Sequence, residues 1–180
     1  LRSSPHLFNH LAEAIMWILQ NNYSVEGLHY LDDFLLVGPA GQDHCQNSVQ
    51  AMLSLCSNLG VPVAMDKLEG PASTLTFLGI TLDTVNQELR LPPEKLKEIS
   101  QAVTNWLGRR TATKRELLSL IGRLAFAARV VLAWCLFCRR LIQLSTSVVK
   151  FHHHVYLNAT RRPLMVARLP TLMEWHCDVH

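Results

Sequence analysis

The chain has 180 residues, 49% of them apolar, which is enough for one domain with a hydrophobic core or for two small lobes. Its longest apolar stretch in the C-terminal half, Val130 to Cys138, stops at Arg139, well short of the roughly 18 residues that span a bilayer. With no basic stretch and apolar core of a signal peptide after Leu1, and five unpatterned cysteines, we expect an intracellular protein of the cytoplasm or nucleus, neither secreted nor membrane-embedded.

The net charge of +3 conceals an uneven distribution along the chain. Residues 1–89 carry two basic and nine acidic side chains, whereas residues 90–180 carry fifteen basic and five acidic ones. A basic half of this kind attracts polyanions, and the alternative is that these charges form the solvated faces of ordinary helices.

The N-terminal segment reads as a helix followed by a hairpin. Ser4 can cap a helix that has Pro5 in its first turn, and apolar residues then recur at helical spacing. These are Phe8, Leu11, Ala12, Ile15 and Leu19. Residues 27–37 read as a β-hairpin, and strict alternation would put Tyr30 on the face of Asp32.

Two adjacent carboxylates, Asp32 and Asp33, lie at the bend of this hairpin. A fold that keeps two neighbouring carboxylates charged normally needs a cation beside them, and oxygen ligands of this type suit Mg²⁺. The alternative is an ordinary hairpin turn, because Asp favours turns by bonding to its own backbone.

Further short elements follow. We expect a helix over 43–59 ended by Gly60, a strand over 61–65, and a strand over 74–82 paired with 87–91. This order predicts an α+β fold in which one antiparallel sheet has helices on one face. Beyond Pro93 the chain should be helical to about Ser145, with a break near 128–131 and a capping box at Thr113.

The order of these motifs resembles the palm of a reverse transcriptase. A Ser-Pro helix, a Tyr-x-Asp-Asp hairpin, a helix with a trailing lysine and a Phe-Leu-Gly hairpin follow one another, and Lys114 opens a helix similar to the thumb. Over roughly residues 1–157 the chain is most similar to the enzymes of DIRS-like retroelements. The resemblance implies a partial palm over 1–91, a helical thumb and connection over 92–150, and an irregular, divergent tail over 151–180.

The resemblance also implies roles for individual residues. Asp32 and Asp33 would be catalytic ligands of Mg²⁺ or Mn²⁺, and Lys67 would assist the pyrophosphate leaving group, unless it is an ordinary loop lysine. The expected contacts to an RNA or DNA primer-template are Tyr30, the primer grip Phe77, Leu78 and Gly79, and the basic residues Arg109, Arg110, Lys114, Arg115 and Arg123. Gly79 can also mark a simple bulge, and each basic residue can be a plain surface charge.

In the family, the first catalytic aspartate lies on a strand before the Ser-Pro helix, and fingers hold the template and the deoxynucleotide. This chain begins inside the Ser-Pro motif, so we expect it to lack both parts and to be inactive as a polymerase by itself. Metal ions and deoxynucleotides are then expected only in a complete active site.

Two other functions fit the same sequence. The chain can be a non-catalytic nucleic-acid-binding module that uses the basic helical half, or an interaction protein that self-associates through an exposed palm edge. Cys135 and Cys138 have the spacing of half a zinc site, but their apolar surroundings favour core packing for both.

Overall fold

The computed structural model describes residues 4–40, 43–107, 109–131, 133–147, 150–156 and 177–178. It divides into two compact units, residues 1–72 and 73–180. The predicted boundary between palm and thumb at residue 91 differs from this division and stays a prediction. No helix within the described ranges is long and apolar enough to cross a membrane.

The first unit is a pair of helices packed on one hairpin. Helix α1 spans Ser4–Tyr23, strands β1 and β2 span Glu26–Tyr30 and Asp33–Val37, and helix α2 spans His44–Asn58. Their shared core consists of Ile15, Leu19, Val25, Leu55 and Cys56. Of the apolar residues predicted to face the core from α1, Ala12, Ile15 and Leu19 are buried, whereas Phe8 and Leu11 each remain 39% exposed.

The C-terminal end of α2 follows the sequence prediction. Leu59 is the last residue with a helical backbone, and Gly60 adopts a φ of +69°, the left-handed conformation that ends many helices. The strand predicted over 61–65 is wrong: residues 61–64 form no strand, and Met65–Lys67 form a single 3-10 turn.

The second unit begins with a small antiparallel sheet. Strands β3, β4 and β5 span Thr74–Phe77, Ile80–Asp83 and Glu88–Arg90, and a short strand β8 at Cys177–Asp178 pairs with β5. The single strand predicted over 74–82 is wrong because the chain reverses at Leu78 and Gly79.

Helices form the rest of this unit. Helices α3, α4 and α5 span Pro93–Leu107, Lys114–Ala127 and Ala133–Thr146, and the expected break falls between α4 and α5. Two short strands, β6 at Thr111–Thr113 and β7 at His154–Tyr156, pair with each other and were not predicted. The core is built from α3, α4 and α5 around Leu117 and Leu124, with Ile80, Leu89 and Leu91 packed against it.

The α+β fold class is confirmed, but the strands do not form one sheet. The described strands form three antiparallel sheets of two, four and two strands. The two cysteines expected in the core also differ: Cys138 is buried, whereas Cys135 is exposed.

Candidate active site and nucleic-acid interface

The two aspartates lie at a tight reversal between β1 and β2. Tyr30 pairs with Asp33, so the loop contains only Leu31 and Asp32. Leu31 adopts a φ of +55°, and a positive φ at the first of two loop residues is the pattern of a type II′ turn. A leucine in this conformation is strained by about 1–2 kcal/mol relative to an ordinary backbone.

The register of the hairpin decides which side chains share a face. Because directly paired residues project to the same side, Asp33 lies on the face of Tyr30 and of Leu28. The prediction that Asp32 shares the face of Tyr30 is wrong, because Asp32 lies in the turn, where the alternation of a strand does not apply. Tyr30 is 58% exposed, and the face that it shares with Asp33 is open.

Both aspartates offer their oxygens to the surroundings. Each is exposed, and within the described parts of the chain no hydrogen bond or ion pair engages either carboxylate. Two adjacent carboxylates with unengaged oxygens are a donor set that fits a hard cation such as Mg²⁺, which fills its remaining positions with water or phosphate oxygens. Among the described residues, no group of three or more His, Cys, Asp or Glu is placed to hold a metal ion.

Gly27, which the sequence analysis did not single out, allows the hairpin to approach α1 closely. A Cβ atom built on Gly27 would lie 2.5 Å from the carbonyl oxygen of Leu35 and 3.1 Å from the terminal methyl group of Met16. The Gln20 side chain also donates to the Gly27 carbonyl oxygen at 3.3 Å. A glycine inside a strand pattern is the signal that could have identified this close approach.

Lys67 lies in the same compact unit as the aspartates. It ends the 3-10 turn that follows α2, and its exposed side chain makes no ion pair with an acidic residue among the described ones. The geometry leaves its ammonium group available, but no contact joins Lys67 to Asp32 or Asp33.

The Phe-Leu-Gly segment forms a second tight turn. Phe77 pairs with Ile80, and both loop residues, Leu78 and Gly79, have a positive φ, the pattern of a type I′ turn. A Cβ atom on Gly79 would lie 3.1 Å from the Phe126 ring of α4. The turn therefore lies directly against α4, with Leu78 exposed at its tip.

The five basic residues predicted to contact phosphates differ in their surroundings. The Arg109 guanidinium bonds to the Glu116 carboxylate at 2.6 Å, and Arg123 lies 3.7 Å from a carboxylate oxygen of Glu98. The Lys114 ammonium lies 5.9 Å from the centre of the Phe151 ring. Arg110 and Arg115 are exposed, and their side chains have no ion pair within the described ranges.

Glu116 is the centre of the Arg109 contact and of the predicted capping box. The Thr113 hydroxyl accepts a hydrogen bond from the Glu116 backbone N–H, and the Glu116 carboxylate accepts one from the Thr113 backbone N–H. The bond from the Thr113 backbone, followed by those from Arg109 and the Thr113 hydroxyl, lowers the pKa of Glu116 to about 2. Arg109 is thus part of a charge network that fixes the start of α4.

Comparison with known proteins agrees with the order of the motifs. Residues 1–82 match the family model described as reverse transcriptase (RNA-dependent DNA polymerase). The fold is similar to that of a foamy viral protease-reverse transcriptase solved in complex with double-stranded DNA, with a TM-score of 0.69 at 19% identity.

That structural match covers 94% of this chain but only 27% of the viral chain. The chain thus spans about a quarter of the viral chain, and nearly all of its own length is similar in fold to that part. Residues 1–82 are thus similar to the reverse transcriptase family, and nearly the whole chain is similar in fold to part of the viral enzyme.

Proposed function

We propose that this chain is the palm and thumb portion of an RNA-directed DNA polymerase from a DIRS-like retroelement, acting inside the cell. The observation that carries the proposal is the exposed Asp32-Asp33 turn, which lies inside the segment that matches the reverse transcriptase family. An ordinary hairpin turn explains the two aspartates alone, but it does not explain the ordered motifs around them.

Asp32 and Asp33 are the proposed ligands of Mg²⁺ or Mn²⁺. In a two-metal site the ions activate the attacking hydroxyl and stabilise the leaving oxygen during nucleotidyl transfer. The residues of this chain supply one carboxylate in the two-residue loop, Asp32, and one at the start of β2, Asp33, together with Tyr30 on the open face that Asp33 shares. Tyr30 would contact the primer-template there, and Lys67 would provide a proton donor for the pyrophosphate.

The proposed polymerase activity requires more than this chain. Two carboxylates give too few fixed oxygens to hold two ions about 4 Å apart. We therefore propose that the purified chain does not extend a primer, and that deoxynucleotides and a full complement of metal are bound only when a further aspartate strand and fingers are supplied.

Nucleic-acid binding would use both the turn at Leu78 and Gly79 and the start of α4. The similar viral enzyme was solved in complex with double-stranded DNA, which supports a duplex as the ligand. The exposed side chains of Arg110 and Arg115 are the strongest candidates for phosphate contacts, since neither is engaged by an acidic residue within the described ranges.

Metal binding can be tested without activity. Mn²⁺ titrated into the isotope-labelled chain should broaden the amide resonances of residues 31–34 selectively, because Mn²⁺ broadens nuclei close to its binding site. The double variant Asp32→Asn/Asp33→Asn should lose this effect. Asp66→Asn is the matched control, because Asp66 is also exposed and lies in the same unit. Broadening that survives the double substitution would refute the assignment.

Polymerisation is tested by primer extension on an RNA template with Mg²⁺ or Mn²⁺. We expect no extension by the chain itself, and recovery when a fingers segment with an aspartate strand is added. Template-dependent synthesis by the unaided chain, abolished by the Asp32→Asn/Asp33→Asn change, would overturn the proposed incompleteness while supporting the polymerase.

A second function, a non-catalytic nucleic-acid-binding module, is favoured by the exposed cations of the second unit alone. It predicts salt-sensitive duplex binding that is unaffected by Asp32→Asn/Asp33→Asn, with no recovery of synthesis on adding fingers. The interaction-protein alternative instead predicts self-association that does not depend on salt.

A further inference from the structure

We propose that the turn at residues 150–154 joins the start of α4 in one docking surface for the phosphate backbone of a nucleic-acid duplex, and that its histidines strengthen binding as the pH falls. This inference rests on the proposed function and adds a segment to it. The surface, called here the basic turn surface, consists of Arg110, Lys114, Arg115, Lys150, His152, His153 and His154.

Backbone hydrogen bonds fix the turn to the helix. His154 pairs with Thr113 in the β6–β7 ladder. The Lys114 N–H donates to the His153 carbonyl oxygen at 3.1 Å, and the Arg115 N–H donates to the Phe151 carbonyl oxygen at 3.1 Å. Residues that are 36 to 41 positions apart in the sequence are thus adjacent in space.

These bonds also determine how the surface can bind a phosphate. The first N–H groups of a helix often bind anions directly. Here the N–H groups of Lys114 and Arg115 are engaged by the turn, and that of Glu116 by the Thr113 hydroxyl. A phosphate must therefore be bound by the side chains that surround this helix end.

The side chains around the helix end are mostly basic and accessible. Arg110, Arg115, Lys150 and all three histidines are exposed, and the rings of His152 and His153 meet edge to face with their centres 5.0 Å apart. Lys114 is half-buried along the Phe151 ring.

Within the described parts of these elements, the one acidic group is already engaged. Glu116 is the only acidic residue in β6, α4 and residues 150–156, and its carboxylate is held by Arg109 at 2.6 Å. The helix bonded to the histidine turn therefore contributes Lys114 and Arg115, Arg110 directly precedes β6, and the turn itself adds Lys150.

Histidine makes such a surface dependent on pH. An imidazole gains a positive charge as the pH falls through the range around 6.5. Protonation of His152, His153 and His154 would add three charges to a surface that has four permanent ones. A phosphate attracts an imidazolium more strongly than a neutral imidazole, so duplex binding by this surface is coupled to proton uptake.

The test is duplex binding by the full chain, measured by fluorescence anisotropy with a labelled RNA–DNA hybrid at constant ionic strength. For the wild type, we expect the affinity to rise by roughly tenfold or more between about pH 8 and about pH 5.5. Each histidine that gains a charge and contacts a phosphate adds a factor of about eight in affinity at 0.1 M salt relative to 1 M. His152→Gln/His153→Gln/His154→Gln should lose most of this gain.

Two further variants separate charge from structure. His152→Arg/His153→Arg/His154→Arg should bind tightly at both pH values, because its charge does not titrate in this range. His6→Gln/His10→Gln, which removes two exposed histidines of α1 in the other unit, should keep the wild-type pH dependence. Circular dichroism confirms that each variant is folded.

The outcomes distinguish the inference from the function on which it rests. Duplex binding with the same pH dependence in the wild type and the triple glutamine variant overturns the basic turn surface but leaves the proposed function intact. An absence of duplex binding at every pH overturns both. Histidine-dependent binding to anionic lipid vesicles but not to the duplex would replace the nucleic acid with a membrane surface, and it would refute the proposal as stated.

Discussion

The different environments of the five basic residues predict which of them bind a nucleic acid. Arg110 and Arg115 are exposed without an acidic partner among the described residues, whereas Arg109 and Arg123 lie against Glu116 and Glu98. We predict that Arg110→Ala/Arg115→Ala weakens duplex binding much more than Arg109→Ala/Arg123→Ala, although both double variants remove the same charge.

The size of the effect follows from counterion release. Each lost phosphate contact reduces the slope of log K against log salt concentration by about 0.9, so Arg110→Ala/Arg115→Ala should reduce it by about 2. The factor by which Arg110→Ala/Arg115→Ala lowers the affinity at 0.1 M salt should therefore be roughly 60 times the factor by which it lowers the affinity at 1 M salt. The Arg109→Ala/Arg123→Ala slope should change by less than about 1, because these guanidinium groups must first leave their carboxylates.

Anisotropy titrations at several salt concentrations measure both slopes, and a pH of about 8 lies above the range in which an imidazole ordinarily gains its charge. Thermal unfolding is the control, since Arg109→Ala disturbs the start of α4 and should lower stability more than Arg110→Ala. Equal salt slopes for the two double variants would refute the reasoning, because they would show that the ion pairs do not withhold Arg109 and Arg123 from the duplex.

Other predictions concern stability. Leu31→Gly should raise the free energy of unfolding by up to about 1 kcal/mol, because glycine adopts a positive φ without strain; a lower stability in denaturant titration would contradict the strained turn. Gly27→Ala should cost about 1–3 kcal/mol through its clash with the Leu35 carbonyl oxygen, and Gly122→Ala is the control that should not destabilise the fold, since nothing lies within 4 Å of a Cβ there. Thr113→Ala should cost about 1 kcal/mol and lower the thermal midpoint by about 2–4 °C, an effect that calorimetry would detect. Because the folded-state pKa of Glu116 is lowered to about 2, its stabilisation is present above about pH 4.5 and is lost as the pH falls towards 2; Glu116→Gln should flatten that part of the stability profile, and an unchanged profile would contradict the network.

Local signals in the sequence predicted much of the fold. Helical periodicity identified α1 and α2, and the spacing of Thr113 and Glu116 identified the capping box, because each signal depends on residues within a few positions of one another. The reversal at Leu78 was not predicted as a break in the strand, because leucine rarely occupies a type I′ turn.

Contacts between distant residues could not be predicted in the same way. The pairing of β6 with β7 joins positions about forty residues apart, and no local pattern marks it. The same limit applies to the candidate site. The sequence indicated that Asp32 and Asp33 lie at a bend, but the engagement of Arg109 by Glu116 depends on a capping geometry that only the structure shows.

The two-residue loop at Leu31 and Asp32 fixes the register of β2 against β1. An insertion or deletion of one residue there would shift β2 against β1 and turn Asp33 from the open side towards the packed side, where His29 and Phe34 meet with ring centres 5.7 Å apart. Substitutions at position 31 can therefore be absorbed at modest cost, whereas a change in loop length would transfer a charge into the packing beneath the hairpin. Selection that keeps Asp33 on the open face would therefore preserve the length of this loop more strictly than the residue at position 31.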